Sequence, residues 1–201
     1  MDQERAWIAR AQRGDQVAFG QLVRVYERPV YNLAYRMLGD PAEAEDAAQE
    51  TFLRAYSRLT TYEPERKFVN WLLSIASHYC IDRLRQKGRS IAISLDGPLP
   101  DEWLASDTGA PDQEVSAKEE REQVRQVLEM LPPVYRAAVI LRYWYGMSYQ
   151  EISTVMSTSE SAIKSRLHRA RLLMARQIQQ LQGVYAGDER RRDEGTGVCA
   201  R

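Results

Sequence analysis

The chain has 201 residues, of which 44% are hydrophobic and 28% charged, enough apolar material for one medium core or two small ones. Its 28 basic and 28 acidic residues cancel, so only the distribution of charge can indicate a partner. No apolar run approaches the roughly 18 residues of a membrane-spanning helix, and Met1 to Arg5 lack the apolar core of a signal peptide. Cys80 and Cys199 belong to no CxxC pair, which favours a reducing compartment. We therefore expect a cytoplasmic protein without membrane insertion.

The spacing of apolar residues predicts that the first domain, residues 1–88, is a helical bundle. Apolar residues recur at helical spacing through most of residues 3 to 87, and no strict alternation indicates a strand. One helix is predicted from Phe68 to Lys87. Its expected core stripe consists of Phe68, Leu72, Ile75 and Tyr79. A separate polar strip, poor in acidic residues, consists of Asn70, Ser74, Ser77, His78 and Arg85.

A second helix of this domain has a clear beginning. Gly39 is suited to end the preceding helix, Asp40 can cap the next one, and Pro41 fits its first position. Glu43 completes a predicted capping box. This pattern predicts a helix over residues 41 to 58.

An acidic segment separates the two halves of the chain. Helical spacing disappears between Gly88 and Ala117, where glycines and prolines are frequent. Residues 96–120 hold eight acidic residues and one lysine, a net charge of −7. Because about thirty residues are too many for an idle loop inside a compact domain, we assign 89–116 as a flexible acidic linker.

Helical spacing then returns and predicts a second domain over 117–182, followed by a disordered tail over 183–201. Ser148 to Glu151 forms a capping box, a polar turn follows at Ser157 to Ser159, and another helix begins near Glu160. Two helices joined by such a short turn form a helix-turn-helix, which places its second helix in the DNA major groove.

The second helix of this motif is basic on its outer side. Residues 161–176 carry five lysines and arginines and no acidic residue. An apolar line is predicted to be buried and consists of Ile163, Leu167, Ala170 and Met174. A solvated basic face is the alternative, but the depletion of acids and the capped preceding helix favour DNA binding. His168 has no second ligand nearby, so we expect no metal site.

Three stretches of this domain resemble region 4 of the extracytoplasmic-function sigma factors of bacterial RNA polymerase: Leu131-Pro132-Pro133-x-Tyr135-Arg136, Leu141 to Ile152, and Ala162 to Arg171. The resemblance implies an all-α fold of two small helical domains, a region 2 bundle and a region 4 helix-turn-helix, joined by a flexible linker. It also implies that this domain reads the minus-thirty-five promoter element and contacts the polymerase flap. The residues implied at that element are Ser159, Ser161, Ala162, Lys164, Ser165, Arg166, His168, Arg169 and Arg171.

The turn departs from the family pattern. Ser157 replaces the customary glycine, Thr158 the usual aliphatic residue and Ala162 the usual threonine. Ser157 would be strained if the turn requires a positive φ. Lost packing or a lost phosphate contact at the substituted positions leads us to expect weaker binding to the minus-thirty-five element than is typical of the family.

The helix that begins at Pro41 resembles region 2.2, which binds the coiled coil of the largest polymerase subunit. The implied docking residues are Asp46, Gln49, Glu50 and Phe52. Two alternatives stay open: an ordinary solvated acidic helix, and a core role for Phe52.

The segment from Lys67 to Arg85 resembles regions 2.3 and 2.4, which recognise the minus-ten element as single-stranded DNA. Holding an unstacked base requires a pocket, a positive surface for the phosphates and apolar side chains that prevent reclosure. The implied residues are Tyr62, Lys67, Asn70, Trp71, Ser74, Ser77, His78, Arg83 and Arg85. Trp71 is alternatively a core residue, and Asp82 an internal partner of an arginine.

The resemblance implies a sigma factor that binds core RNA polymerase and promoter DNA, in a stress or envelope response. It also suggests an anti-sigma factor as partner and a linker that enters the RNA channel at residues 96–116; a solvated spacer is the alternative. An enzyme is disfavoured, because the chain has no GxxxxGK motif and no metal cluster, and we expect no cofactor. A helix-turn-helix regulator that does not replace sigma is the harder alternative, and residues 40 to 87 argue against it.

Overall fold

The computed structural model describes residues 2–88 and 117–194, with side chains over 3–88 and 123–178. These residues form α-helices and one short 3-10 helix, without a strand, which confirms the all-α fold. The first half contains α1 (Asp2–Gln12), α2 (Gln16–Leu38), α3 (Pro41–Ser57), a 3-10 helix (Leu59–Thr61) and α4 (Phe68–Gln86). The second half contains α5 (Ala117–Glu129), α6 (Pro133–Tyr143), α7 (Tyr149–Val155) and α8 (Glu160–Glu194). The acidic segment assigned at 89–116 lies outside the described residues.

Local capping positions helix α3. Gly39 ends α2 in the left-handed region at φ 78°, and the Asp40 carboxylate accepts from the Glu43 N–H at 2.9 Å. The predicted capping box, however, does not close. The Glu43 carboxylate pairs with Lys87 at the end of α4 instead. A long-range ion pair takes the place of the local hydrogen bond between the Glu43 carboxylate and the Asp40 N–H.

Helix α4 buries a different set of side chains from the predicted stripe. Phe68 and Leu72 are buried as expected, whereas Ile75 and Tyr79 are half-buried. Ser77, predicted in the polar strip, is fully buried, and its hydroxyl has no hydrogen-bond partner among the residues that the structure describes. The buried set is Phe68, Leu72, Leu73, Ala76, Ser77, Cys80, Ile81 and Leu84. Ser77 faces the core because α2 and α3 both pack against α4 and cover a wider arc than one apolar stripe.

The helix-turn-helix follows the sequence closely. Ser148 and Glu151 form the predicted capping box of α7. Ile163, Leu167 and Ala170 of α8 are buried as predicted, whereas Met174, predicted on the same line, is half-buried. Helix α8 runs to Glu194, past the boundary predicted at residue 182; arginine and glutamate favour helical conformation, which is consistent with this extension. The rest of the predicted tail, 195–201, lies outside the described residues.

The two halves pack against each other. Helix α4 contacts α6 and α7, and helix α2 contacts α5 and α6. The Tyr145 hydroxyl donates to the Pro29 carbonyl at 2.5 Å, and the buried Arg136 guanidinium donates to the Met37 carbonyl. The two halves therefore form one contiguous body in this conformation.

The turn between α7 and α8 contains the backbone strain expected from its serine. Ser157 adopts φ 49°, and among the described residues it is the one non-glycine with a positive φ. In this conformation the Cβ crowds the following carbonyl, which costs a side chain roughly 1–2 kcal/mol. Glycine does not carry that cost.

We expect Ser157→Gly to raise the free energy of unfolding by about 1 kcal/mol, because it relieves this strain at an exposed position. Urea unfolding followed by tryptophan fluorescence measures the effect. Ser153→Gly is the matched control. Ser153 lies inside α7, so the same substitution should destabilise by roughly 0.5–1 kcal/mol there. A loss of stability in Ser157→Gly would contradict the assignment of strain.

Candidate protein and nucleic-acid interfaces

A groove of about 1040 Å³ lies between α2 and α3, and we call it the α2–α3 groove. Its apolar lining includes Phe19, Val23, Phe52, Leu53 and Tyr56. The rings of Phe19 and Tyr56 are 4.9 Å apart, which joins the two helices at one end. Polar residues also line it: Gln16, Arg24, Glu27, Arg28, Glu45 and Gln49. An apolar floor with charged residues around it is typical of a protein-binding surface.

The predicted docking residues on α3 divide into two pairs. Gln49 and Phe52 line the groove; Gln49 is exposed and Phe52 is buried at its base. Asp46 is exposed outside the groove lining, and Glu50 pairs with Arg54 at 2.7 Å. Sequence reasoning missed the α2 side of the groove. Phe19 and Val23, four residues apart on α2, were the signal that could have located it.

Leu53 is the most exposed large apolar side chain of this groove, with 67% of its surface accessible. The preceding residue, Phe52, has only 9% of its surface accessible and packs into the core at the base of the groove. The helix therefore presents one apolar residue outward immediately beside one that is buried. Leu53 and Tyr56 add exposed apolar surface to the apolar lining of the groove, so the apolar area there is contiguous.

The side chain of Tyr62 packs inside its own loop and does not line an open pocket. Its side chain is 5% exposed, and its hydroxyl donates to the Arg66 carbonyl. The ring packs against Phe68 and Trp71, with centroids 5.1 and 5.2 Å away. Burial raises the pKa of the Tyr62 phenol. In this conformation the residue supports the loop from within.

Four predicted minus-ten residues lie together along α4 and its preceding loop, with Lys67 exposed and the others half-buried: Lys67, Asn70, Trp71 and Ser74. We call this set the strand face. It forms one wall of a crevice of about 270 Å³, whose other wall belongs to α7. The α7 residues there are Gln150, Glu151, Thr154 and Val155.

Glu151 is the electrostatic centre of this crevice. Lys67 Nζ lies 2.8 Å from Glu151 Oε1, and Asn70 Nδ2 donates to the same oxygen at 3.4 Å. Lys67, together with the Ser148 backbone N–H, lowers the pKa of the Glu151 carboxyl to about 2. The carboxylate therefore remains charged at neutral pH and pairs with Lys67 across the crevice.

The remaining predicted minus-ten residues lie further along α4. His78 is exposed, with Nδ1 2.8 Å from the Ser74 carbonyl oxygen, and Arg83 is half-buried. Arg85 is exposed and lies 3.8 Å from Asp82, an acid–arginine pair of the kind anticipated for Asp82. Ser77 is buried and is removed from the set of surface residues.

The predicted minus-thirty-five residues share the outer face of α8 and its cap. Ser159 accepts from the Ala162 N–H at 3.2 Å and caps the helix. The exposed members are Ser159, Ser161, Lys164, Ser165, His168 and Arg171, and the half-buried ones are Ala162, Arg166 and Arg169. Lys164 Nζ is 3.2 Å from Glu160. The structure thus brings all nine to one helix and its N-terminus.

None of the described helices is long and apolar enough to cross a bilayer. In the same part of the chain, no group of three histidine, cysteine, aspartate or glutamate side chains is placed to hold a metal ion.

Sequence models of known protein families match both halves of the chain. The sequence model of sigma-70 region 2 matches residues 22–90, and that of sigma-70 region 4 matches residues 121–174. The chain is 34% identical over 179 residues to the ECF RNA polymerase sigma factor SigW of Bacillus subtilis (strain 168), covering 87% of this chain and 96% of that protein.

Solved structures agree with the sequence matches. A complex of CnrH with the cytosolic domain of CnrY aligns with a TM-score of 0.65 and 25% identity, over 89% of this chain and 99% of that one. The sigma factor RpoE of Bartonella quintana, in complex with the anti-sigma factor NepR, aligns with a TM-score of 0.59 and 25% identity, over 80% and 96%.

The region 2 match separates the two hypotheses left by the sequence. A DNA-binding regulator that does not replace sigma has no need of this block, whereas a sigma factor requires both. The chain belongs to the extracytoplasmic-function sigma factors of the sigma-70 family, which direct transcription initiation by RNA polymerase.

Proposed function

We propose that the three surfaces described above have separate roles in transcription initiation. The α2–α3 groove binds core RNA polymerase through the coiled coil of its largest subunit. The strand face of α4 holds the unpaired minus-ten strand. Helix α8 reads the minus-thirty-five element, and region 4 also contacts the polymerase flap. The proposed domains are 1–88 and 117–182, and the protein acts in the cytoplasm without a catalytic centre.

The α2–α3 groove is the observation that carries the docking proposal. It combines an exposed apolar residue, Leu53, with a base formed by Phe52 and a rim of charged side chains. Burying apolar surface at such a site stabilises a complex by roughly 25 cal/mol per Å² before the costs of association are subtracted. The docking residues Asp46, Gln49 and Glu50 surround this apolar area or lie next to it on α3.

The strand face has the chemistry that an unpaired strand requires. Trp71 offers an aromatic surface against which a base can stack, and stacking contributes about 1–3 kcal/mol per base. Lys67 provides a cation for the adjacent phosphate, and Arg83 and Arg85 extend the positive surface along α4. Tyr62 stabilises the loop that carries Lys67 and Phe68.

We also propose that an anti-sigma factor regulates this protein. In both solved relatives described above the sigma-like chain is held by a second protein, CnrY in one case and NepR in the other. A stress or envelope response fits such control, because a bound inhibitor can be released by a signal.

The purified protein should join core polymerase and support initiation at discrete start sites, and Leu53→Glu should weaken its affinity for core by roughly tenfold or more. A charge at this position would be buried unpaired against the partner. Anisotropy titration of labelled protein with core polymerase measures the affinity. Val25→Glu is the matched control, since Val25 is 51% exposed on α2 but does not line the groove. Equal losses in both variants would contradict docking in the groove.

Arg171→Ala should weaken binding of holoenzyme to promoter duplex a few-fold and lower the slope of log affinity against log salt by about 1, because one phosphate contact is lost. The probe is a promoter fragment selected by the holoenzyme from a random library. Arg13→Ala is the control, because Arg13 is exposed on region 2 and its guanidinium contacts the Ala9 carbonyl. An unchanged salt slope in Arg171→Ala would remove this residue from the interface.

A further inference from the structure

We propose that Gln12, the last residue of α1, is a positioning residue for recognition of the minus-ten strand: its side-chain amide fixes the loop of residues 59–67 in the conformation that meets the strand. We call this segment the 59–67 loop. The inference rests on the proposed role of the strand face and deepens it. It assigns a part in strand recognition to a helix that precedes the matched region 2 segment, which begins at residue 22.

The Gln12 amide joins α1 to this loop through two backbone carbonyls. Its Nε2 donates to the Leu59 carbonyl at 3.0 Å and to the Tyr62 carbonyl at 3.2 Å. An amide NH2 group has two donor hydrogens, so both bonds can form at once. Gln12 is half-buried, and such bonds are electrostatically stronger there than in water. One side chain therefore ties the end of α1 to two points of the loop, 47 and 50 positions later in the chain.

The two carbonyls belong to the residues that anchor the loop in the core. Leu59 and Tyr62 are buried, whereas residues 60, 61 and 63–67 are exposed. The Tyr62 ring continues the contact to the strand face, because it packs 5.2 Å from the ring of Trp71. Gln12 therefore holds the loop at the points from which its exposed side chains project, including that of Lys67.

A second contact fixes α1 near its other end. The Tyr26 hydroxyl of α2 donates to Glu4 Oε1 at 2.7 Å, and the Tyr26 ring lies 5.5 Å from that of Phe68. Burial, and then the Glu4 carboxylate, raise the pKa of the Tyr26 phenol, so this donor keeps its proton at neutral pH. Helix α1 is thus held at both ends and gives Gln12 a fixed base.

The contacts inside the loop are local and leave its placement to Gln12. The Tyr62 hydroxyl donates to the Arg66 carbonyl four residues later. Arg66 also pairs with Glu63 at 3.0 Å, but both side chains are mostly exposed and solvent screens the attraction. These contacts shape the loop, whereas the bonds from Gln12 position it relative to the helical bundle.

A fixed loop matters more for selectivity than for general affinity. Contacts to bases carry sequence information and require groups held in one geometry, whereas phosphate contacts do not. A long, exposed side chain such as that of Lys67 can follow a phosphate when the loop moves. A loop that must be ordered on binding also loses affinity for the correct sequence. Removing the Gln12 bonds should therefore reduce discrimination between strands and leave non-specific binding intact.

Gln12→Met removes both donors and keeps a side chain of similar length and helix propensity. The probes are two fluorescent single-stranded 12-mers: the minus-ten segment of a promoter that the holoenzyme selects from a random library, and a scrambled strand of the same composition. Anisotropy titration with holoenzyme gives both affinities. We expect their ratio to fall about three- to tenfold, because two hydrogen bonds no longer hold the loop. Affinity for the scrambled strand and for core polymerase should stay within twofold.

Gln12→Glu separates the loss of donors from a change of shape. Glutamate has nearly the same shape as glutamine, but its carboxylate only accepts hydrogen bonds and would face two carbonyl oxygens. The ratio of affinities should fall at least as far as in Gln12→Met. Full selectivity in Gln12→Glu would show that shape alone matters and would overturn the proposal.

Gln3→Met is the matched control, because it makes the same substitution at an exposed position near the start of α1. It should leave the ratio of affinities within twofold of the unmodified protein. An equal loss of selectivity in Gln3→Met would overturn the proposal. So would an equal fall in affinity for both strands in Gln12→Met, since that is the result of a general defect in folding.

The unmodified protein distinguishes this inference from the proposed function. If its holoenzyme bound both 12-mers equally, the proposed role of the strand face would fail, and the inference with it. If it preferred the minus-ten strand and Gln12→Met kept that preference in full, the inference alone would fail.

Discussion

The close packing of α3 against α2 and α4 is the constraint from which the surfaces of region 2 follow. Ala44, Ala47 and Ala55 on its inner side are fully buried, and such small side chains let the helices approach closely. The large residues of α3 must then lie along its margins. Leu53 and Tyr56 consequently border α2 and create the α2–α3 groove. The proposed docking surface is thus a consequence of how the core is filled.

Features that depend on residues within four positions of each other could be predicted from the sequence. The Ser148–Glu151 box, the Asp40 cap and the buried line of α8 each follow from local geometry, and the structure contains all three. The positive φ of Ser157 belongs to the same group, because the turn type dictates it. The positions of the basic side chains on α8 follow from helical periodicity as well.

Features that depend on distant partners could not be predicted in this way. Glu43 pairs with a residue 44 positions later, and Glu151 with one 84 positions earlier. Spacing in the sequence carries no information about either contact. Ser77 fell on the polar side of the predicted helix, yet packing from two neighbouring helices buried it. The α2–α3 groove was not predicted either: of the docking residues expected on α3, Gln49 and Phe52 line it, and its α2 side comes from a helix distant in sequence.

The double attachment of Glu151 links the integrity of the helix-turn-helix to the packing of α7 against the strand face. An exposed ion pair normally loses much of its attraction to the entropy of fixing two long side chains. The capping box has already fixed Glu151, so pairing with Lys67 costs less additional side-chain entropy.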